Sequence, residues 1–212
     1  MKIETLEFAG LRSALHGMRN PLDSWDKSDN RYTTYVNRYG IETVLDWKIG
    51  DADSGLSTKL QKAGPEHCKH MRQIMVWADI TAPRYWWMEF DTYRLGVEKN
   101  SCSTMHKLMA RPLTVGDFER DCFENLDLWQ IISHINNVMD QYRAEADPDM
   151  KKTLWRGIIQ ELPQSYLQKR TVMMSYAALR NIYRQREGHK LREWQIFREW
   201  VESLPESWMI TE

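Results

Sequence analysis

Residues 82–94 read Ala-Pro-Arg-Tyr-Trp-Trp-Met-Glu-Phe-Asp-Thr-Tyr-Arg, and no other stretch limits the possible folds of this chain so tightly. Pro83 has a preset φ angle and lacks an amide hydrogen that a first helical turn would leave unpaired, so it marks a helix start. The spacing predicts an aromatic helix from Pro83 that ends near Gly96. Asn100, Ser101, Ser103 and Thr104 follow with no apolar period, which reads as a polar loop running to His106. Thr92, Tyr93 and Arg94 would then be delivered beside that loop. Ring faces on one side with Arg and hydroxyl donors on the other suit a flat, phosphate-bearing ligand. A buried Trp/Tyr helix followed by a solvated loop is the reading that needs no ligand.

The 212 residues, 42% hydrophobic and 28% charged, suffice for one good core, and we expect one domain over residues 1–212. A net charge of -1 removes the usual electrostatic argument for a general nucleic-acid binder. Ten Trp residues suit a core, a subunit interface or a stacking site equally well. Cys68, Cys102 and Cys122 are odd in number and lack CxxC spacing, so neither a disulfide framework nor a zinc site is indicated, and a reducing cytoplasm fits. The N-terminus shows no secretory apolar region, and no run approaches the roughly 20 apolar residues that span a bilayer.

Along the chain, Ile3 to Phe8 alternates as a half-buried strand closed by Gly10, and Leu11 to Met18 forms a short helix. Arg19 to Asn30 reads as a loop in which Arg19 faces an anion and Lys27 is solvated. Tyr32 to Leu45 has helix-compatible spacing, Gly50 to Ser54 breaks it, and Ser57 to Ala63 is another short helix. Gly64-Pro65-Glu66-His67 carries the cap, Pro and acid that favour a helix start, with His67, Met71 and Ile74 on one apolar face. Val76 to Ile80 reads as a strand leading into Pro83. Arg111 to Thr114 is a turn and cap ahead of a long helix from about Gly116 to Ala146. Its stripe is Leu128, Ile131, Ile132, Ile135, Val138, Met139 and Tyr142, and Asp147-Pro148 stops it. A further helix is expected over Ser165 to Gln185, with Val172, Tyr176, Leu179 and Tyr183 on its apolar face. Arg186 shares that face, whereas Arg170, Arg180 and Arg184 point outward. Arg186 either complements the helix C-terminal dipole or, if enclosed, takes an anion such as a phosphate or an ionising pyrimidine. Trp194, Phe197, Val201 and Leu204 stripe a last helix that ends at Pro205.

The common nucleotide and hydrolase signatures, GxxxxGK[ST], GxGxxG after a strand, HExxH and GxSxG, are all absent. The order of the pieces instead resembles the flavin-dependent thymidylate synthases. Gly64-Pro65-Glu66-His67 is similar to that family's segment ending in Glu-His, and a strand then enters Ala82-Pro83 and an aromatic helix. The family's Arg-His-Arg signature falls on Thr92-Tyr93-Arg94, and its Asn-Glu-x-Ser on Asn100-Ser101-Cys102-Ser103. Leu162-Pro163, Arg186 and Glu193-Trp194-Gln195-Ile196 are similar to the family's later Leu-Pro, Asn-Leu-Arg and Gln-Trp-Glu-Ile. Thr92 and Tyr93 stand where the signature has Arg and His, and Ser101 stands where it has Glu.

The resemblance implies a helix-rich α+β domain around a small mixed or antiparallel sheet, assembled as a cytoplasmic homotetramer. It implies FAD as cofactor, NADPH and methylene-tetrahydrofolate as co-substrates, and one-carbon transfer to C5 of a pyrimidine deoxynucleotide, of the dUMP-to-dTMP type. Arg186 would contact and polarise the pyrimidine. Asn100, Ser101 and Ser103 would hold its phosphate, and His67, Tyr93 and Arg94 would lie at the flavin. Two readings stay beside this one: a non-catalytic nucleotide-binding homologue, and a helical protein that stacks single-stranded nucleic acid on its rings.

Overall fold

Strand alternation and helical stripes set the frame of the chain, seen in a computed structural model that describes residues 1–120 and 128–212. The strands are β1 (Lys2–Ala9), β2 (Arg31–Val36), β3 (Glu42–Lys48), β4 (Met75–Pro83), β5 (Val97–Ser101) and β6 (Leu167–Ser175). The helices are α1 (Leu11–Met18), α2 (Asp51–Ala63), α3 (Arg84–Phe90), α4 (Thr104–Lys107), α5 (Leu128–Ala144), α6 (Pro148–Glu161), α7 (Tyr176–Gln185), α8 (Arg192–Glu202) and α9 (Trp208–Thr211). Four strands form a sheet in the order β1-β4-β6-β5, and β2 and β3 form a separate antiparallel hairpin. None of the described helices is long and apolar enough to cross a membrane.

The chain divides into two compact units, one of Met1–Leu6, Trp77–Met173 and Gly188–Phe197, the other of Glu7–Val76, Met174–Glu187 and Arg198–Glu212. In the first unit, β4 alternates as the sequence predicts, with Ala78, Ile80 and Ala82 fully buried. Pro83 sits at the N-cap of α3 rather than inside its first turn. The helix ends at Phe90, not near Gly96, because Thr92 and Tyr93 close a turn onto Glu89 and Phe90. The expected polar loop is an edge strand instead: β5 occupies Val97–Ser101, and α4 follows from Thr104. Thr114 caps the turn after Leu113 as expected. The long helix does not start near Gly116 as expected: Val115–Asp117 form a 3-10 turn that gives way to an extended Phe118 paired with Tyr166. The helix is described from Leu128, with Ile132, Ile135 and Met139 buried; residues 121–127, including Cys122, lie outside the described residues. Ile131 is largely exposed and leaves the stripe. Asp147-Pro148 both ends α5 and starts α6, since the Asp147 carboxylate accepts the Asp149 amide at 3.2 Å. These helices enclose a cluster of Leu108, Leu113, Phe118, Ile132, Ile135, Met139, Ile158 and Leu162.

In the second unit, α1 buries Leu11, Ala14, Leu15 and Met18, the i, i+3, i+4, i+7 set of an amphipathic helix. The helix expected from Tyr32 to Leu45 is the β2–β3 hairpin. Tyr-Thr-Thr-Tyr-Val and Thr-Val-Leu-Asp-Trp are β-branched and aromatic, and Asn37 closes the turn by accepting the Tyr39 and Ile41 amides. Gly40 takes a φ of 77° in that turn, a conformation that suits glycine. Helix α2 begins at Asp51, six residues before the expected Ser57. Its cap comes from a distance: Asp29 accepts the Ala52 and Asp53 amides at 2.9 and 3.3 Å. Pro65–His67 and His70–Arg72 are single 3-10 turns, so the helix expected after Gly64 does not form. The helix expected over Ser165–Gln185 is two elements, β6 followed by α7. The Ser175 hydroxyl accepts the Ala178 amide at 3.2 Å and caps α7.

Candidate functional site

Helix α3 is first of all a core helix. Trp86, Trp87 and Phe90 are 0–1% exposed and meet Trp194 and Phe197 of α8, with Trp86 4.8 Å from Trp194. Offset and edge-on rings of this kind add about 0.5–1.5 kcal/mol per pair to their burial. The candidate residues expected from sequence lie just beyond the helix's C-terminal end. There Tyr93 is half-buried, edge-on to Phe90 at 6.3 Å and to Trp194 at 6.1 Å. Arg94, next in sequence, is exposed and makes no ion pair among the described residues. Thr92 spends its hydroxyl on the Glu89 carbonyl at 2.7 Å.

A charged group that the sequence did not reveal surrounds this end. Asp91 accepts from both Lys99 and Arg170 at 2.8 Å. These two cations hold its carboxyl below the ordinary carboxylate range, against the opposing effect of partial burial. Arg170 lies over Trp87, 4.2 Å from the ring centre, and so is not the outward arginine expected from a helical wheel. The signal was hidden because Leu167–Ser175 is a strand. Trp194 donates to Glu89 at 2.8 Å, and His189 stands 3.4 Å from the same carboxylate. The end of α3 therefore offers a partly exposed ring, a free guanidinium and a fixed set of charges.

Asn100 and Ser101 are exposed at the end of edge strand β5, and Ser103 occupies the N-cap of α4 without using its hydroxyl as a cap. The backbone around them is held: Cys102 donates its amide to Lys169 O at 2.9 Å and receives Gln168 at its own carbonyl. Tyr93, Arg94, Asn100, Ser101 and Ser103 thus all belong to the first unit.

His67 and Arg186 belong to the second. His67 is not on an apolar face; its side chain is 50% exposed, 3.4 Å from Glu66. Met71 and Ile74 are buried as expected, but with the 3-10 turns the buried histidine is His70. It shares a hydrogen bond with Ser57 at 2.9 Å, and burial, helped by the Arg180 charge, pushes its pKa down from 6.5 to about 4. Arg180 is half-buried beside Cys68, which corrects its outward placement. Arg186 stands where the wheel placed it, half-buried at the C-cap of α7, its amide bonded to Ile182 O at 3.0 Å. Arg19 finds its expected anion within the protein: Asp53, at 2.5 Å.

No protein-family model matches this sequence, and no curated protein matches it. The three-dimensional structure is more informative. Flavin-dependent thymidylate synthase from Helicobacter pylori, in a crystal structure complexed with FAD and dUMP, matches with a TM-score of 0.70 at 16% identity. The match covers 100% of this chain and 98% of that one. The chain has the flavin-dependent thymidylate synthase fold. A second structure of the Helicobacter pylori enzyme with FAD and dUMP agrees, with a TM-score of 0.69 at 15% identity and the same coverage. The helix-rich α+β class expected from sequence is therefore the observed one.

Proposed function

We propose that this protein is a flavin- and folate-dependent enzyme that transfers one carbon to C5 of a pyrimidine deoxynucleotide, with residues 1–212 acting as one domain. The observation that carries the proposal is the full-length match to a thymidylate synthase structure that holds FAD and dUMP. The chemistry of the α3 end suits a flavin. Tyr93 supplies ring edge and hydroxyl, and Arg94 supplies an uncommitted positive charge for a ring carbonyl or phosphate. His67 is assigned to the flavin by the resemblance, and its half-exposed side chain is open to a ligand.

A bound FAD, held by Tyr93, Arg94 and His67, would supply the hydride chemistry that links NADPH to methylene transfer from the folate. The residues of this chain bind and orient. Arg186 polarises a carbonyl of the pyrimidine and favours its ionised form, a charge-assisted bond worth about 1.5–3 kcal/mol. Asn100, Ser101 and Ser103 donate to the nucleotide phosphate. The enzyme works as a homotetramer in the cytoplasm.

One observation favours the non-catalytic alternative. Thr92 stands where the signature has an arginine and is tied to the Glu89 carbonyl, so position 92 supplies no guanidinium; Arg170, the other guanidinium near the α3 end, is already engaged by Asp91. Titration calorimetry with dUMP tests the nucleotide half of the proposal. Arg186→Ala should lose binding by about tenfold or more. Arg184→Ala, which removes an exposed side chain that donates to the main-chain oxygen of Glu212, should bind normally. Equal behaviour of the two variants removes the assignment of Arg186.

A further inference from the structure

The β2–β3 hairpin has two outer edges, and only one of them is protected against pairing with another chain. An exposed strand edge presents unpaired N–H and C=O groups, which charges, prolines and bulges ordinarily blunt. Strand β3 has such devices: Glu42, Asp46 and Lys48 are charged and exposed, and the register shift opposite Thr33 and Thr34 makes Leu45 an extra, bulged residue. Strand β2 has none of them past Arg31. Residues 32–36 read Tyr-Thr-Thr-Tyr-Val, uncharged, β-branched or aromatic, and free of Pro and Gly. The sheet neighbour of β2 is β3, and among the described residues no other backbone bonds to residues 31–36.

The two faces of β2 differ. Arg12 of α1 lies 5.3 Å from the centre of the Tyr32 ring and donates to Glu42 at 2.7 Å, and Thr34 bonds the same carboxylate, so Tyr32 and Thr34 turn toward α1. Arg31, Thr33 and Tyr35 alternate with them and are exposed, Tyr35 at 58%. A twofold axis perpendicular to a sheet keeps every residue on its own face, so two copies of β2 pair antiparallel about a single residue. Centring the axis on Thr33 makes the strand complementary to itself. Arg31 then lies opposite the partner's Tyr35, once on each side of the axis, and Thr33 lies opposite the partner's Thr33. A cation over a ring and a Thr–Thr pair are favourable cross-strand neighbours, and no two like charges meet. Centring on Thr34 sets Arg31 against the partner's Asn37 and loses the pairing with Tyr35.

We infer that the outer edge of β2 docks a second copy of this chain, the two hairpins joining antiparallel about an axis at Thr33 into one four-stranded sheet. The inference names a surface for the self-association within the proposed function and needs neither flavin nor nucleotide. Disulfide trapping on the full chain tests it, in a background with Cys102 and Cys122 replaced by Ser. Directly opposite residues of an antiparallel pair have Cα atoms about 4.5–5.5 Å apart, inside the roughly 4.4–6.8 Å that a disulfide spans. Thr33→Cys meets its own copy at the axis and should oxidise to a covalent dimer at least about tenfold faster than Thr43→Cys, an exposed position on β3. In sedimentation velocity, Tyr35→Lys opposes Arg31 with a second cation and should weaken self-association about tenfold or more. Tyr35→Phe keeps the ring and should leave association unchanged. Equal oxidation at positions 33 and 43, or association unaltered by Tyr35→Lys, overturns the inference. A tetramer assembled through other surfaces gives that overturning result and leaves the proposed function standing.

Discussion

Trp86, Trp87, Phe90, Trp194 and Phe197 fill the interior of the first unit with rings at 0–1% exposure, whereas the second unit buries Arg19, Asp53, Ser57, Gln61 and His70 alongside its aliphatic residues. The aromatic interior is held by area and ring geometry, neither of which changes with ionisation. The polar interior is held by matched partners: Arg19 and Ser28 each reach Asp53 at 2.5 Å, Asn30 bonds the same carboxylate, and Gln61 reaches Ser57 at 3.2 Å. The first unit should therefore fail when volume is removed, and the second when a partner or a protonation state is changed.

Trp86→Ala tests the first half of that contrast. It empties a site that touches four other rings and should cost about 3–5 kcal/mol, read from urea unfolding, by a similar amount at pH 7 and pH 5. Asp53→Ala tests the second half. It leaves the Arg19 charge enclosed without its carboxylate, and a loss of about 3–5 kcal/mol is expected from breaking such a pair. A loss below 1 kcal/mol would show that Arg19 finds water or another acceptor.

The pH dependence follows from His70. Its pKa falls from 6.5 to about 4 on folding, so between these values the unfolded chain binds the extra proton. Stability is then full above pH 6.5 and declines as pH falls toward 4, by about 3 kcal/mol for a shift of this size. His70→Asn should flatten that part of the curve. The smallest effect belongs to the proposed cofactor end: Arg94→Ala should change stability by less than about 0.5 kcal/mol, because the side chain is exposed. A larger change would mean that Arg94 supports the fold.

What was legible in the sequence depended on how far each element's partners lay. Helix α1 and strand β4 carry their own periodicity, so Leu11–Met18 and Val76–Ile80 are legible from sequence; α8 follows its stripe but ends at Glu202, short of the expected Pro205, and is not the last helix, because α9 follows at Trp208–Thr211. The β2–β3 hairpin and β6 were read as helices because i, i+4 coincidences among their apolar residues cannot be told from helical spacing without the pairing partner. Helix α2 was read late because its cap, Asp29, lies 23 residues before Ala52. The start of α6 was visible in Asp147-Pro148, which was read only as a stop. The candidate residues are legible only in part: Arg186 stands at the C-cap of α7, Tyr93 and Arg94 lie beyond the end of α3 rather than in its last turn, and Asp91, Lys99 and Arg170 come together only through the pairing of β5 with β6. A continuous helix after Gly64 would turn His67 inward; the two 3-10 turns shift the inward position to His70.

The central claim is that a flavin-dependent thymidylate synthase fold at 16% identity still serves a flavin. The visible absorption spectrum of the purified protein, titrated with FAD and then treated with NADPH under argon, tests it most directly. The account predicts a saturable flavin band that bleaches on reduction and weakens in Arg94→Ala. A colourless protein whose spectrum shows only free FAD throughout the titration would contradict it.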